Sequence, residues 1–188
     1  MSQMKKLVRK ELIELRKKTS KRDVLEKSNI IKNKLFQLPE YKQSSTILFY
    51  VSYGNEVFTH NMIKESMKAG KIVVVPKSDT ENRRLILSEL SNWNDLEKGS
   101  HGILEPKKIN EIFINKIDLV IIPGVGFDKN GNRIGHGKGY YDNLIGSSKN
   151  ILPIGLAFEF QIVEKIPINS YDFPVQKIIT EKRVISCK

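Results

Sequence analysis

The densest group of residues that could do chemistry lies between Pro123 and Asp142, in the segment PGVGFDKNGNRIGHGKGYYD. Half of the 12 glycines in the chain fall in this segment. Glycine is favoured where the main chain takes a positive φ, or where its N–H groups turn towards a ligand. The segment directly follows an apolar run, 117–122, that is typical of a buried strand. We interpret it as a cradle for an anion, with phosphate as the favoured ligand.

The two halves of this segment suggest different roles. The first half, 128–132 (DKNGN), has the composition of a hairpin-like turn. The second half alternates glycines with cationic or polar side chains and ends in two tyrosines and an acid: Arg133, Ile134, Gly135, His136, Gly137, Lys138, Gly139, Tyr140, Tyr141 and Asp142. A polyphosphate needs backbone donors and cations, and Mg²⁺ on its oxygens needs a hard ligand such as the Asp142 carboxylate. The alternatives are a helix-capping role for Asp142 and plain surface turns for the glycines.

A predicted amphipathic helix at 5–18 supplies further cations. Its apolar positions have helical spacing: Leu7, Val8, Leu12, Ile13 and Leu15. Lys5 and Arg9 stand four residues apart on one face, with Arg16 about two turns further on, so they could clamp phosphates together. The alternative is a charged face turned to solvent.

Polar residues also follow the predicted strands. Glu56 comes just after the strand 46–52, where a carboxylate could accept hydrogen bonds from a ring amine or amide. Its alternative role is that of an acid at the start of the next helix. Lys77 follows the strand 71–76. Further along, Trp93, His101 and Glu105 could line a pocket; the alternatives are a hydrophobic plug for Trp93 and a surface position for His101.

Composition limits the possible functions. The chain has 188 residues, of which 39% are hydrophobic and 28% charged, as in an ordinary globular domain. A net charge of +11 favours anionic partners, and residues 1–34 carry 12 Lys or Arg against 4 acids. The lone cysteine, Cys187, permits no intramolecular disulfide, and three scattered histidines do not predict a zinc site. Without an apolar run of about 18 residues or a signal-like start, we expect a cytoplasmic protein with no membrane partner.

The order of elements predicts the fold. Predicted strands at 46–52, 71–76, 83–90, 116–123, 151–156 and 178–180 alternate with helical segments, including basic N-terminal helices over 4–37 and a short helix at 158–163. We therefore expect one domain over 1–188. Its class is α/β: a three-layer α/β/α, open, mostly parallel, Rossmann-like sheet of the kind found in sugar-phosphate isomerases and CoA-transferases.

The glycine segment closely resembles the signature loop of the 5-formyltetrahydrofolate cyclo-ligases, also called methenyltetrahydrofolate synthetases. The resemblance extends to Lys5 and Arg9, and to the segments FYVSYGNE, VVVPK, ILEP and IPIN to IITE, so it covers nearly the whole chain. It implies an ATP- and Mg²⁺-dependent closure of 5-formyltetrahydrofolate to 5,10-methenyltetrahydrofolate, with release of ADP and phosphate. ATP would phosphorylate the formyl oxygen, and N10 would then attack the formyl carbon.

The resemblance also assigns residues. The implied ATP site is Lys5, Arg9, Lys77, Arg133, Ile134, Gly135, His136, Gly137, Lys138, Gly139, Tyr140 and Tyr141. The implied folate site is Val51, Glu56, His136, Gly137, Lys138, Gly139 and Tyr140. Asp142 would hold Mg²⁺, and Lys138 and Tyr140 would be catalytic. The expected partners are ATP and 5-formyltetrahydrofolate, with or without a polyglutamate tail, bound by a monomer.

Two positions depart from the family pattern. His136 stands where relatives carry Arg or an aromatic residue, and Gln176 stands where many carry an acid, which leaves Asp172 as the second candidate metal carboxylate. Two other functions remain open. A sugar-phosphate isomerase on the same sheet would use the glycine loop for a single phosphate. An RNA-binding protein would use the basic N-terminus, although no aromatic residue precedes Phe36 to stack on bases.

Overall fold

The computed structural model describes residues 3–99, 102–148 and 151–187. The helices are α1 (Gln3–Lys18), α2 (Lys21–Gln37), α3 (Pro39–Gln43), α4 (His60–Lys68) and α5 (Tyr140–Gly146). The strands are β1 (Thr46–Leu48), β2 (Ile72–Asp79), β3 (Arg84–Glu89), β4 (Leu96–Lys98), β5 (Leu104–Pro106), β6 (Leu119–Ile122), β7 (Gly126–Asp128), β8 (Arg133–Ile134), β9 (Leu152–Leu156), β10 (Ile162–Val163), β11 (Lys177–Ile179) and β12 (Val184–Ser186). No helix in these ranges is long and apolar enough to cross a membrane.

A central sheet organises the molecule, with the strand order β12-β11-β9-β6-β1-β2-β3. The pairs from β11 to β2 are parallel, and β12 and β3 add antiparallel edges. The apolar runs of β1, β6 and β9 are buried on both faces, as parallel strands require. Since the parallel strands share a direction, their carboxyl ends meet at one edge of the sheet.

Helices cover both faces of this sheet. Ile47 and Phe49 face a core cluster that includes Ile31 of α2 and Met62 of α4. The alternate residue Leu48 belongs to a second cluster with side chains such as Ile145 of α5. Side chains of a strand alternate between faces, so one strand serves both cores. The predicted three-layer α/β/α architecture is confirmed.

Several element boundaries differ from the prediction. The strand predicted at 46–52 ends at Leu48, although Phe49, Tyr50 and Val51 remain buried. The predicted edge strand at 178–180 corresponds to β11. It is not at the edge, because the unpredicted strand β12 pairs with it on the outside. The helix predicted at 158–163 is a single 3₁₀ turn, Glu159–Gln161, followed by β10, which pairs with β7.

The buried side of α1 also differs from the leucine face that its spacing predicted. Leu12 is buried, but Leu7 is 64% exposed and Leu15 is 41% exposed. Lys5 and Arg16 are buried in their place. Leu12 packs in a small cluster with Val125, Ile134 and Ile166. This contact holds α1 against the β7–β8 hairpin, with part of its basic side turned inward.

The predicted turn at 128–132 is confirmed, and Asp128 organises it. β7 and β8 pair antiparallel on either side of the turn. The fully buried Asp128 carboxylate accepts hydrogen bonds from the amides of Asn130 and Asn132, both at 3.0 Å, and from Asn132 Nδ2 at 2.9 Å. It also accepts from the amide of Ile166 at 2.9 Å. One carboxylate therefore fixes the turn and ties it to a distant segment.

We predict that Asp128→Ala lowers the free energy of unfolding by about 3 kcal/mol, since a buried donor left without an acceptor costs about 1–3 kcal/mol. Urea unfolding followed by circular dichroism measures this change. Lys129→Ala, in the same turn but exposed, is the control and should stay within about 0.5 kcal/mol of the wild type. Equal stability of Asp128→Ala and Lys129→Ala would contradict the anchoring role.

Candidate active site

A cavity of about 690 Å³ opens at the carboxyl edge of the sheet. Residues that follow two neighbouring strands line it: Tyr50 and Val51 after β1, and Pro123 and Gly124 after β6. α1, the glycine loop, the β2–β3 hairpin and β5 supply the other walls. The sequence-predicted residues that line it are Lys5, Arg9, Val51, Glu56, Arg133, Ile134, Gly135, His136, Gly137, Lys138, Gly139, Tyr140, Tyr141 and Asp142. This volume is in the range of cavities that bind small ligands.

The glycine loop takes a backbone path that requires glycine at two positions. Gly137 has φ 95° and Gly139 has φ 72°, both in the left-handed region. A Cβ at Gly137 would lie 3.5 Å from Nη1 of Arg9, so this part of the loop runs beside the α1 guanidinium. Gly139 immediately precedes α5 and acts as its N-cap. The predicted loop thus faces the cations of α1.

Asp142 forms an ion pair with Arg133. Its Oδ1 lies 3.0 Å from Nη2 of Arg133, whose side chain is only 5% exposed. The amide of Phe173 donates to the same oxygen at 3.3 Å. Asp142 lies in the first turn of α5, but no side chain caps this helix. The structure therefore gives Asp142 the position of a cavity carboxylate held by a buried guanidinium.

A second ion pair at the cavity joins two residues that are 167 positions apart in the sequence. Lys5 Nζ lies 2.5 Å from Oδ2 of Asp172, which also accepts a hydrogen bond from the amide of Asn169 at 2.8 Å. Both Lys5 and Asp172 line the cavity. Gln176 is exposed and is not part of the cavity wall. Of the two positions considered for a second metal carboxylate, only Asp172 lies in the cavity wall with Asp142.

Glu56 is a buried carboxylate in the cavity wall, with 7% of its surface exposed. The amide of Tyr53 donates to its Oε2 at 3.2 Å. Arg16 Nη1 lies 3.8 Å from Oε1, and His136 Nε2 lies 3.9 Å from the same atom. α4 begins later, at His60 with Thr59 as its N-cap, so Glu56 is not an acid of that helix's first turn.

Two tyrosines of the site, Tyr50 and Tyr141, have raised pKa values and remain protonated at neutral pH. Burial raises the pKa of Tyr50 well above its ordinary value, and its hydroxyl donates to the carbonyl oxygen of Val57 at 2.9 Å. Burial and then the Glu56 charge raise the pKa of Tyr141. Burial also lowers the pKa of the Arg9 guanidinium, which nevertheless remains charged at neutral pH.

The two residues predicted to be catalytic both line the cavity, but their environments differ. Lys138 is exposed, and its Nζ lies 5.8 Å from the centre of the Tyr140 ring. Tyr140 is half-buried at the first position of α5. His136 is also exposed at the cavity, with 45% of its side chain accessible. The loop therefore carries an exposed cation and a half-buried phenol.

Lys77 is not part of the cavity wall. β2 continues to Asp79, and its alternate residues Pro76 and Ser78 face the cavity. Lys77 consequently points the other way, where its Nζ donates to the carbonyl oxygen of Pro106 at 3.4 Å. The ATP contact inferred for Lys77 is thus not supported by its position.

The other pocket residues suggested by the sequence have separate outcomes. Trp93 is not in the cavity wall; its ring packs 4.8 Å from that of His60, and Lys64 lies over it at 4.5 Å. His101 lies outside the described residues. Glu105 does line the cavity. The sequence predicted Glu105 as a pocket residue but gave no role for its carboxylate, because the residues around that carboxylate are far away in the chain.

The carboxylates of the cavity fit a particular class of metal. Within residues 3–99, 102–148 and 151–187, no group of three or more His, Cys, Asp or Glu side chains could hold an ion. Mg²⁺ is usually held by one or two carboxylates together with substrate phosphates, without an all-protein cage. Asp142 and Asp172 offer that donor set beside a cationic loop.

Comparison with known proteins identifies the family. The model of the 5-formyltetrahydrofolate cyclo-ligase family matches residues 1–181. The 5-formyltetrahydrofolate cyclo-ligase of Mus musculus is 30% identical over 193 residues, which cover 94% of this chain and 93% of the relative. The Haemophilus influenzae cyclo-ligase is 33% identical over 148 residues, which cover 76% of this chain and 79% of the relative.

Solved structures agree with the sequence comparisons. The 5,10-methenyltetrahydrofolate synthetase of Aquifex aeolicus superposes with a TM-score of 0.87 at 32% identity, covering 98% of this chain and 93% of that one. The synthetase of Mycoplasma pneumoniae gives a TM-score of 0.77 at 25% identity, covering 94% and 98%. A family match over almost the whole chain, together with these relatives, shows that the protein belongs to the 5-formyltetrahydrofolate cyclo-ligase family and is a ligase of folate metabolism.

Proposed function

We propose that this enzyme converts 5-formyltetrahydrofolate to 5,10-methenyltetrahydrofolate with MgATP, releasing ADP and phosphate. The observation that carries the proposal is one cavity that combines two kinds of wall. Its lining includes cations, loop glycines and two carboxylates, which suit a nucleotide with its metal ion, and also Glu56 and apolar side chains, which suit a pterin. Such a cavity can bring a nucleotide phosphate and a folate into contact.

The nucleotide would lie along the glycine loop. Arg9 of α1 lies beside this loop, Lys5 lines the same cavity, and Arg133 lies at the start of the loop. Phosphate binding in proteins relies on such cations together with turned-in backbone N–H groups. The resemblance assigns ATP to the same residues, so geometry and family pattern support one site.

Asp142 and Asp172 would hold the Mg²⁺ ion that accompanies ATP. The ion would neutralise charge on the phosphate oxygens, as in other phosphoryl-transfer sites. Both carboxylates are already paired, with Arg133 and Lys5 respectively. The bound phosphates offer these two cations new anionic partners, so the charges of the site can remain compensated when the nucleotide is bound.

The pterin end of the folate would lie beside Val51 and Glu56. A buried carboxylate can accept hydrogen bonds from the amine and ring N–H groups of a pterin. Arg16 behind Glu56 compensates part of its charge at 3.8 Å, and the Tyr53 amide orients it. Tyr140 and the loop from His136 to Gly139 would separate this end from the nucleotide.

The reaction overcomes the low reactivity of an N-formyl group. Transfer of the γ-phosphoryl group to the formyl oxygen turns that oxygen into a phosphate leaving group. N10 then attacks the carbon within the same molecule and loses its proton to solvent, the C–O bond breaks, and phosphate departs. Lys138 would compensate charge on the transferring phosphoryl group, and Tyr140 would place its hydroxyl at the reacting centre.

One assay tests the proposal against the other functions of this fold class. The folded protein is mixed with 5-formyltetrahydrofolate, with and without MgATP, and the ultraviolet absorption of the methenyl product is followed. Product should form only with MgATP. No product would refute the proposal and return attention to a single-phosphate enzyme. RNA binding by α1 has less support, since Lys5 and Arg16 are buried.

We predict that Asp142→Asn lowers kcat/KM for MgATP about 100-fold, equivalent to about 2.7 kcal/mol of transition-state stabilisation. The asparagine keeps the shape of the side chain but removes the charge that would face Mg²⁺. The affinity for 5-formyltetrahydrofolate, measured calorimetrically without nucleotide, should be unchanged. Wild-type kinetics over a Mg²⁺ titration would exclude Asp142 from the metal site.

For Glu56→Gln we predict at least a tenfold rise in the KM for 5-formyltetrahydrofolate, because a hydrogen bond to a charged group contributes about 1.5–3 kcal/mol. The KM for MgATP should change less than about twofold. The glutamine carbonyl can still accept from the Tyr53 amide. Glu11→Gln, the same change on the exposed side of α1, serves as the control. If only the KM for MgATP changed, Glu56 would contact the nucleotide, and its assignment to the folate would be wrong.

A further inference from the structure

Glu105 is a buried acid that the chemistry above does not use. It lies on β5, is only 6% exposed, and lines the cavity. The wall around it is mostly apolar, with Pro76, Leu85 and Leu104 in the same lining and Ser78 and Thr80 as its polar members. A single carboxylate in an apolar wall is typical of a site that orients a ligand through one polar contact.

The contacts of Glu105 set it apart from the other cavity carboxylates. Asp142, Asp172 and Glu56 each have a cation within 4 Å. In the part of the chain that the structure describes, no cation forms an ion pair with Glu105. Its hydrogen bond comes from the amide of Ser78, which donates to Oε1 at 3.3 Å.

The position of the second oxygen is also constrained. A Cβ on Gly99 would lie 2.2 Å from Glu105 Oε2, so a glycine at this position lets the carboxylate pack against the backbone. A buried carboxylate with one long hydrogen bond and no cation bears an uncompensated desolvation cost. An N–H donor from a ligand would offset that cost.

The position of the phosphate-binding cations decides which ligand can supply the donor. Arg9 of α1 lies beside Gly137 of the glycine loop, where the nucleotide is proposed to bind, whereas a reduced folate carries N–H donors on its pterin and at N10. We propose that Glu105 is a specificity-determining residue of the folate subsite and accepts a hydrogen bond from one of these N–H groups. This inference rests on the proposed function, and it gives the folate a second carboxylate besides Glu56.

The test is the binding of 5-formyltetrahydrofolate to Glu105→Gln, measured by calorimetry without nucleotide. Glutamine keeps a carbonyl oxygen for the Ser78 amide but removes the charge. We expect Kd for the folate to rise at least tenfold, while Kd for MgATP changes less than about twofold. Glu97→Gln is the matched control: Glu97 pairs with Glu105 in the β4–β5 register but is exposed. This variant should bind the folate as the wild type does.

A truncated ligand identifies the donor. 5-Formyl-6-methyltetrahydropterin keeps the pterin but lacks N10 and the aminobenzoyl group. If Glu105→Gln also weakens its binding, the donor is on the pterin; if only the full folate is affected, the donor is N10–H. Either result supports the proposal. Equal folate affinity of wild type and Glu105→Gln would overturn it.

A second variant keeps the charge but moves it. Gly99→Ala places a methyl group against the carboxylate and should also weaken folate binding, with the melting temperature as the check on folding. Wild-type folate affinity in this variant would count against the proposal. Failure of the wild type itself to bind the folate would instead overturn the proposed function, and the role of Glu105 with it.

Discussion

The burial of charge along α1 is the constraint on which the site depends. A buried cation is tolerated only beside an anion, because desolvation otherwise costs several kcal/mol. Lys5 meets this condition through Asp172, 167 residues away in the chain, and Arg16 lies beside Glu56. Leu12, between them, packs against the β7–β8 hairpin. These contacts fix the position of the helix, and in that position it forms one wall of the cavity.

The sequence predicted the parts of the fold that depend on local pattern. Apolar runs such as 117–122, which contains β6, identified the parallel strands, and the DKNGN composition identified the turn that Asp128 holds. The buried face of α1 was not predictable in this way. Its leucines have helical spacing, yet Leu7 is exposed and Lys5 is buried. The partner that buries Lys5 is far away in the chain, so no local period could reveal it.

The site shows the same division between local and distant information. The glycine loop and Glu56 could be found because they follow strands, where α/β proteins bind ligands. Lys77 follows the predicted strand 71–76, but β2 extends beyond that strand to Asp79. The alternation of side chains along β2 therefore turns Lys77 away from the cavity. The sequence predicted that Glu105 lines a pocket. Its proposed role in binding depends on the absence of a cation beside it among the described residues, which only the fold reveals.

The ion pair between Lys5 and Asp172 has a consequence for how the protein is made. A chain is synthesised from its N-terminus, whereas a domain generally folds as a unit. α1 emerges before its partner, and the anion that allows Lys5 to be buried appears only when residue 172 has been added. Lys5 can therefore be buried only once residue 172 has been made, and until then its ammonium group stays in water, open to other anions.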